Sequence, residues 1–77
     1  MLELRPGCEA CDTDLPGDSE RALICSFECT FCHDCAAKLH QLCPNCGGEL
    51  RPRPRRVGAK LAANPASSQR VVKPRQL

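Results

Sequence analysis

The sequence predicts a small α+β domain held together by bound metal rather than by a conventional core, and three observations carry that prediction. Eight of the 77 residues are cysteine. The aromatic inventory is two Phe with no Tyr or Trp, so large apolar side chains are scarce. The cysteines recur at short, regular intervals that suit a tetrahedral ion. A chain below about 80 residues rarely draws more than about 3–5 kcal/mol from its core, so something besides apolar burial must stabilise it.

The cysteines stand at 8, 11, 25, 29, 32, 35, 43 and 46. Successive members are separated by two, thirteen, three, two, two, seven and two residues. Two to four intervening residues let neighbouring thiolates occupy two corners of one tetrahedron, and four ligands per ion divide eight cysteines into two sites. Three other chemistries compete. A disulfide framework needs an oxidising compartment, and the opening Met1-Leu2-Glu3-Leu4-Arg5-Pro6-Gly7 lacks the charged and apolar regions of a secretory signal. The expected location is therefore the cytoplasm. A redox Cys-x-x-Cys needs a thioredoxin-like strand and helix, which no pair here has. An iron–sulfur cluster also uses four cysteines. Structural zinc fits the spacing and the reducing setting best, with two ions per chain. His33 and His40 lie close enough to serve as ligands, but eight thiolates already complete two sites.

Taken in order, Leu2 and Leu4 alternate with polar residues and predict a short extended lead-in. Residues 12–20 form an acidic, turn-rich loop. Asp12, Asp14 and Gly17 match positions 1, 3 and 6 of a calcium loop, but Leu23 stands where its bidentate Glu belongs, which rejects calcium. Arg21 to Phe27 reads as one strand of a short hairpin, with its partner through Thr30-Phe31. Residues 36–42 read as a single short helix, with Leu39 and Leu42 turned toward the metal sites. Phe27 and Phe31 are assigned to the small core. Cys43-Pro44-Asn45-Cys46-Gly47-Gly48 reads as a metal knuckle: Pro44 fixes φ in the turn and Gly47 supplies a positive φ after it.

The charge divides the chain at residue 50. Residues 1–50 hold three basic and nine acidic side chains, a formal −6, and residues 51–77 hold eight basic and none acidic, a formal +8. Arg51-Pro52-Arg53-Pro54-Arg55-Arg56 opens a Pro/Arg-rich tail, 51–77, whose composition predicts disorder, apart from a turn of helix between Val57 and Ala63. A Zn²⁺ held by four thiolates carries −2. Two such sites take the head, 1–50, from −6 to −10, so the tail has its own head as well as phosphate to attract it.

The order of the ligands resembles that of the RING finger and its relatives. That resemblance implies a cross-brace: Cys8, Cys11, Cys32 and Cys35 at site one, and Cys25, Cys29, Cys43 and Cys46 at site two. It also implies a helix between the sixth and seventh ligands, where 36–42 falls. The fold it implies is thus a small zinc-stabilised α+β cross-brace with two four-cysteine zinc sites, a short hairpin and one short helix. Departures from the pattern argue against the ligase activity that many RING domains have. Cys29 stands where His is usual, Ala10 where Ile or Leu meets a conjugating enzyme, and Gly47 where a basic residue often follows the last ligand. At full length, Leu4-Arg5-Pro6-Gly7-Cys8-Glu9-Ala10-Cys11-Asp12, Ile24-Cys25-Ser26-Phe27-Glu28-Cys29-Thr30-Phe31-Cys32 and Cys43-Pro44-Asn45-Cys46-Gly47-Gly48-Glu49-Leu50 resemble a bacterial family of Cys-rich proteins of about eighty residues, known as domain of unknown function family 1272. The resemblance spans about residues 1–55 and implies no activity.

These features predict a non-enzymatic, zinc-binding protein-interaction module, since an ion already held by four thiolates has no open position at which to activate water. The partner expected is another protein. A nucleic-acid partner would use Arg51, Arg53, Arg55 and Arg56, although the head is acidic and the stacking aromatics are few. A RING-type ligase-like module and a zinc-storage or redox-sensing role also compete; the Cys-x-Cys pairs usual in metallothioneins do not occur. No stretch has the 18 apolar residues of a membrane span.

Overall fold

Residues 2–72 are described by a computed structural model. The elements are β1 (Ala22–Ile24), β2 (Thr30–Cys32), α1 (His33–Lys38), β3 (Arg51–Pro52) and α2 (Gly58–Ala63). The three strands form one antiparallel sheet in the order β2-β1-β3. Leu23 at its centre faces Phe31 on one side and Pro52 on the other. The hairpin expected around residues 21–31 is thus present, and the third strand comes from the segment read as a tail.

The core is small, and five of its eleven buried residues are cysteine. Leu15, Ala22, Leu23, Phe31, Ala36 and Leu50 pack with Cys8, Cys25, Cys32, Cys35 and Cys43, and Phe31 is fully buried. Phe27 does not join it: the side chain is 70% exposed. It sits in the β1–β2 loop, where Phe27 donates its N–H to Cys25 Sγ at 3.3 Å and the ring points outward. Leu4 is also buried, but φ of 54° breaks the extended lead-in there and drops the side chain inward.

The helix expected over 36–42 is shifted toward the N-terminus. Cys32 is its N-cap, accepting the Cys35 N–H on Sγ at 3.5 Å, so the helix begins at His33. Asp34 in the first turn and Lys38 in the last complement the helix dipole. The helix ends in a Schellman motif: His40 donates to Ala37 O at 3.1 Å and Gln41 to Ala36 O at 2.8 Å. His40 occupies the left-handed position usually given to Gly, with φ of 56°, and Gln41 follows at 61°. These two residues turn Leu42 off the helix face. Leu42 is half exposed and bridges to Glu49, leaving Leu39 alone to pack against the core.

Residues 51–72 fold back on the head, where composition predicts disorder. Arg53 is buried, donating to the carbonyls of Arg5 at 2.9 Å, Leu15 at 3.2 Å and Pro16 at 2.8 Å. Burial pulls its guanidinium below the usual arginine range. Leu61 of α2 lies so close to Gly17 that a Cβ there would sit 2.7 Å from its Cδ1. Arg70 closes the wrap: it bonds Asp12 through Oδ1 and the backbone carbonyl, both at 2.7 Å, and reaches Asp14 at 3.0 Å. The compensating groups are mostly carboxylates and backbone carbonyls of residues 2–20, which composition alone does not pair with particular arginines. The tail residues 73–77 lie outside the described residues. No helix of the described residues is long and apolar enough to cross a membrane.

Candidate metal centre

Two Cys-x-x-Cys turns with the same backbone pattern supply half of the candidate ligands. In the first, Cys8 donates its N–H to Thr13 O and accepts at its carbonyl from Asp12 N–H, both at 2.9 Å. In the second, Cys43 donates to Gly48 O and accepts from Gly47 N–H, both at 2.8 Å. The residue after each second cysteine is left-handed, Asp12 at φ 60° and Gly47 at φ 75°. Gly47 takes the conformation its knuckle requires, and Asp12 takes it with a side chain that tolerates that region.

The fold distributes these knuckles between two places. Cys8 and Cys11 meet Cys32 and Cys35, which β2 and the first turn of α1 present, and the four Sγ atoms lie within 4.8 Å of one another. Cys43 and Cys46 meet Cys25 at the end of β1, again within 4.8 Å. Chain order and spatial grouping therefore interleave. Cys29 stands outside the close group of three: its Sγ accepts from Asn45 Nδ2 at 3.4 Å. His33 and His40 belong to neither group; His33 lies 3.8 Å from Asp34, and His40 spends its backbone on the helix terminus.

The donor set fits a tetrahedral thiophilic ion. Metal–sulfur bonds of about 2.3 Å at tetrahedral angles place sulfurs about 3.8 Å apart, and Cys11 Sγ lies 3.7 Å from Cys32 Sγ. Hydrogen bonds are aimed at the sulfurs, as anionic ligands require. Cys46 accepts from Gly48 N–H at 3.4 Å, repeating the contact between Cys25 and Phe27, and Cys11 lies 3.0 Å from Thr13 Oγ1.

Proton affinity is divided within each group. The Thr13 hydroxyl leads in drawing the Cys11 thiol down to about 6. Burial opposes ionisation of Cys25, but the N–H groups of Phe27 and Cys29 and the thiols of Cys29 and Cys46 outweigh it and bring the value to about 7. Burial raises Cys32 and Cys35 and pushes Cys43 up to about 12. A divalent cation entering either group would have to displace the protons that burial holds on Cys32, Cys35 and Cys43.

Three contributors escaped sequence reasoning. Glu9 lies within the first knuckle and is almost fully buried, with Oε1 accepting from Asn45 Nδ2 at 2.7 Å and Oε2 3.6 Å from Arg5. Asn45 lies within the second knuckle, and Thr13 follows the first. Their positions between and beside cysteines were visible, but an acid in an acidic segment reads as solvated, and nothing in the pattern buries it.

The family described as "Protein of unknown function (DUF1272)" matches residues 1–56. The chain belongs to that family. Its match takes in all eight cysteines, β3 and Arg53. Among relatives of this DUF1272 chain is an uncharacterized protein of Rhizobium meliloti (strain 1021), 61% identical over 75 residues, which cover 96% of this chain and 89% of the relative. No solved structure matches the chain.

Proposed function

We propose that this chain is a non-catalytic protein-interaction module in which two structural zinc ions hold a RING-like cross-brace. The observation that carries the reading is the gathering of Cys8, Cys11, Cys32 and Cys35 from three separate elements into one group within 4.8 Å. Cys25, Cys43 and Cys46, with Cys29 beside them, supply the second ion. Zinc in such sites contributes about 10–16 kcal/mol of apparent free energy each, which offsets the shortage of apolar side chains. With four thiolates per ion no coordination position is left for substrate, so the ions stabilise and do not react. The exposed apolar side chains on offer to a protein partner include Phe27 and Leu42.

A nucleic-acid partner draws less support. Arg53 is buried on carbonyls, and Arg56 donates to Asn64 O and Leu2 O. Arg55 contacts Asp18 O and Glu20, and Arg51 pairs with Glu49. Phosphate would have to displace these partners.

Native mass spectrometry with metal analysis of the full chain, expressed in the cytoplasm, tests the reading. Two zinc ions per chain and eight thiols inert to alkylation are expected, and chelation should collapse the amide spectrum. A chelated chain that keeps its dispersed spectrum would refute structural zinc.

A further inference from the structure

The two knuckles touch each other directly, through one of the two residues between the cysteines of each. We infer that Asn45 is a positioning residue that couples the two metal sites, so that filling one raises the affinity of the other; the inference rests on the two-zinc reading above. Asn45 lies between Cys43 and Cys46 of one group, and Glu9 lies between Cys8 and Cys11 of the other. Their side chains meet at 2.7 Å, with Asn45 Nδ2 donating to Glu9 Oε1. The same nitrogen lies 3.4 Å from Cys29 Sγ, the one cysteine outside the close groups. Glu9 is 1% exposed, and its N–H donates to Thr30 O at 2.9 Å, beside Cys29.

The coupling follows from what each knuckle lacks alone. A metal at Cys43 and Cys46 fixes the turn that carries Asn45, and Asn45 then holds a buried carboxylate in the turn that carries Cys8 and Cys11. With that turn already ordered, the first site loses less conformational freedom on closing. Linkage makes the effect reciprocal, so metal at the first site orders Glu9 and through it Asn45. Coupling of this kind is typically about 5- to 150-fold in affinity. The contact to Cys29 adds direction: Asn45 presents that sulfur to the second site only when its own knuckle is in place.

The test is a Zn²⁺ titration of the reduced, metal-free full chain, followed by native mass spectrometry that counts chains with none, one and two ions. The unaltered chain should pass from none to two with the one-zinc species minor throughout. Asn45→Asp sets a second carboxylate against Glu9; the one-zinc species should dominate at one equivalent, and the second ion should bind about tenfold more weakly. Combining Glu9→Gln with Asn45→Asp reverses donor and acceptor and restores the hydrogen bond between the knuckles, though not the donation to Cys29 Sγ. The one-zinc species should therefore fall below its level in Asn45→Asp without returning to that of the unaltered chain. That rescue decides the matter even where Asn45→Asp alone fails to fold. Unchanged loading by Asn45→Asp, or a double variant that loads no more cooperatively than Asn45→Asp, overturns the coupling. So does an unaltered chain that binds two zinc ions stepwise through a dominant one-zinc species, which leaves the two-zinc reading intact. An unaltered chain that binds fewer than two ions removes that reading instead.

Discussion

The two cysteine groups are built from the same knuckle yet differ in completeness. The first joins a knuckle to the end of β2 and the start of α1, where Cys32 and Cys35 are one helical turn apart and held by the N-cap hydrogen bond. Four sulfurs converge as a result. The second joins its knuckle to the β1–β2 loop, where Cys25 and Cys29 are separated by three residues and Glu28 is left-handed at φ 65°. Three sulfurs converge there, and the fourth is held by an amide. A ligand pair that lies within regular secondary structure has its geometry set by it, as with Cys32 in β2 and Cys35 in α1; a pair in a loop leaves one ligand to be placed by neighbours.

This contrast predicts unequal consequences of losing a ligand. Cys35→Ser should cost an ion and the fold of the whole described chain, because a structural site worth about 10 kcal/mol exceeds most of a small domain's net stability. Cys29→Ser should keep the first ion and a folded core, with the second ion bound weakly. Metal stoichiometry and thermal melts compare them, and equal losses would erase the distinction. The next largest effect belongs to Arg53→Ala, which leaves the carbonyls of Arg5, Leu15 and Pro16 without their donor. About 2–4 kcal/mol should be lost in denaturant titration, with Lys restoring little because one ammonium cannot span three acceptors. Arg70→Ala removes an exposed clamp on the first knuckle. Its melting temperature should fall slightly at low salt, and the gap should narrow at high salt as the ion pairs are screened. Phe27→Ser should be the mildest, within about 0.5 kcal/mol, since the ring is mostly in water. A partner that uses this surface should nevertheless lose affinity for it.

Spacing made the knuckles legible, because two residues between ligands and a glycine after Cys46 have a direct geometric meaning. The hairpin was legible from the β-branched and aromatic residues around 22–31. The helix boundary was not, because cysteine is an unusual N-cap and His40 an unusual left-handed terminator. Phe27 and Phe31 have the same side chain and similar surroundings in sequence. Only the hairpin register, which sets Phe31 opposite Leu23, separates the buried one from the exposed one. The fate of the arginines was least legible of all: their acceptors are mainly backbone carbonyls whose positions follow from the fold, and a carbonyl leaves no mark in composition.

Interleaving the two groups also changes what a protease can accomplish. One group spans residues 8 to 35 and the other 25 to 46, so a nick anywhere between 8 and 46 falls inside the span of at least one. A cut between residues 12 and 24 separates Cys8 and Cys11 from Cys32 and Cys35. With both proposed ions bound, the fragments on either side of that cut remain tethered through the first ion, as two chains joined by a staple. They should migrate as one species until a chelator is added, and then separate.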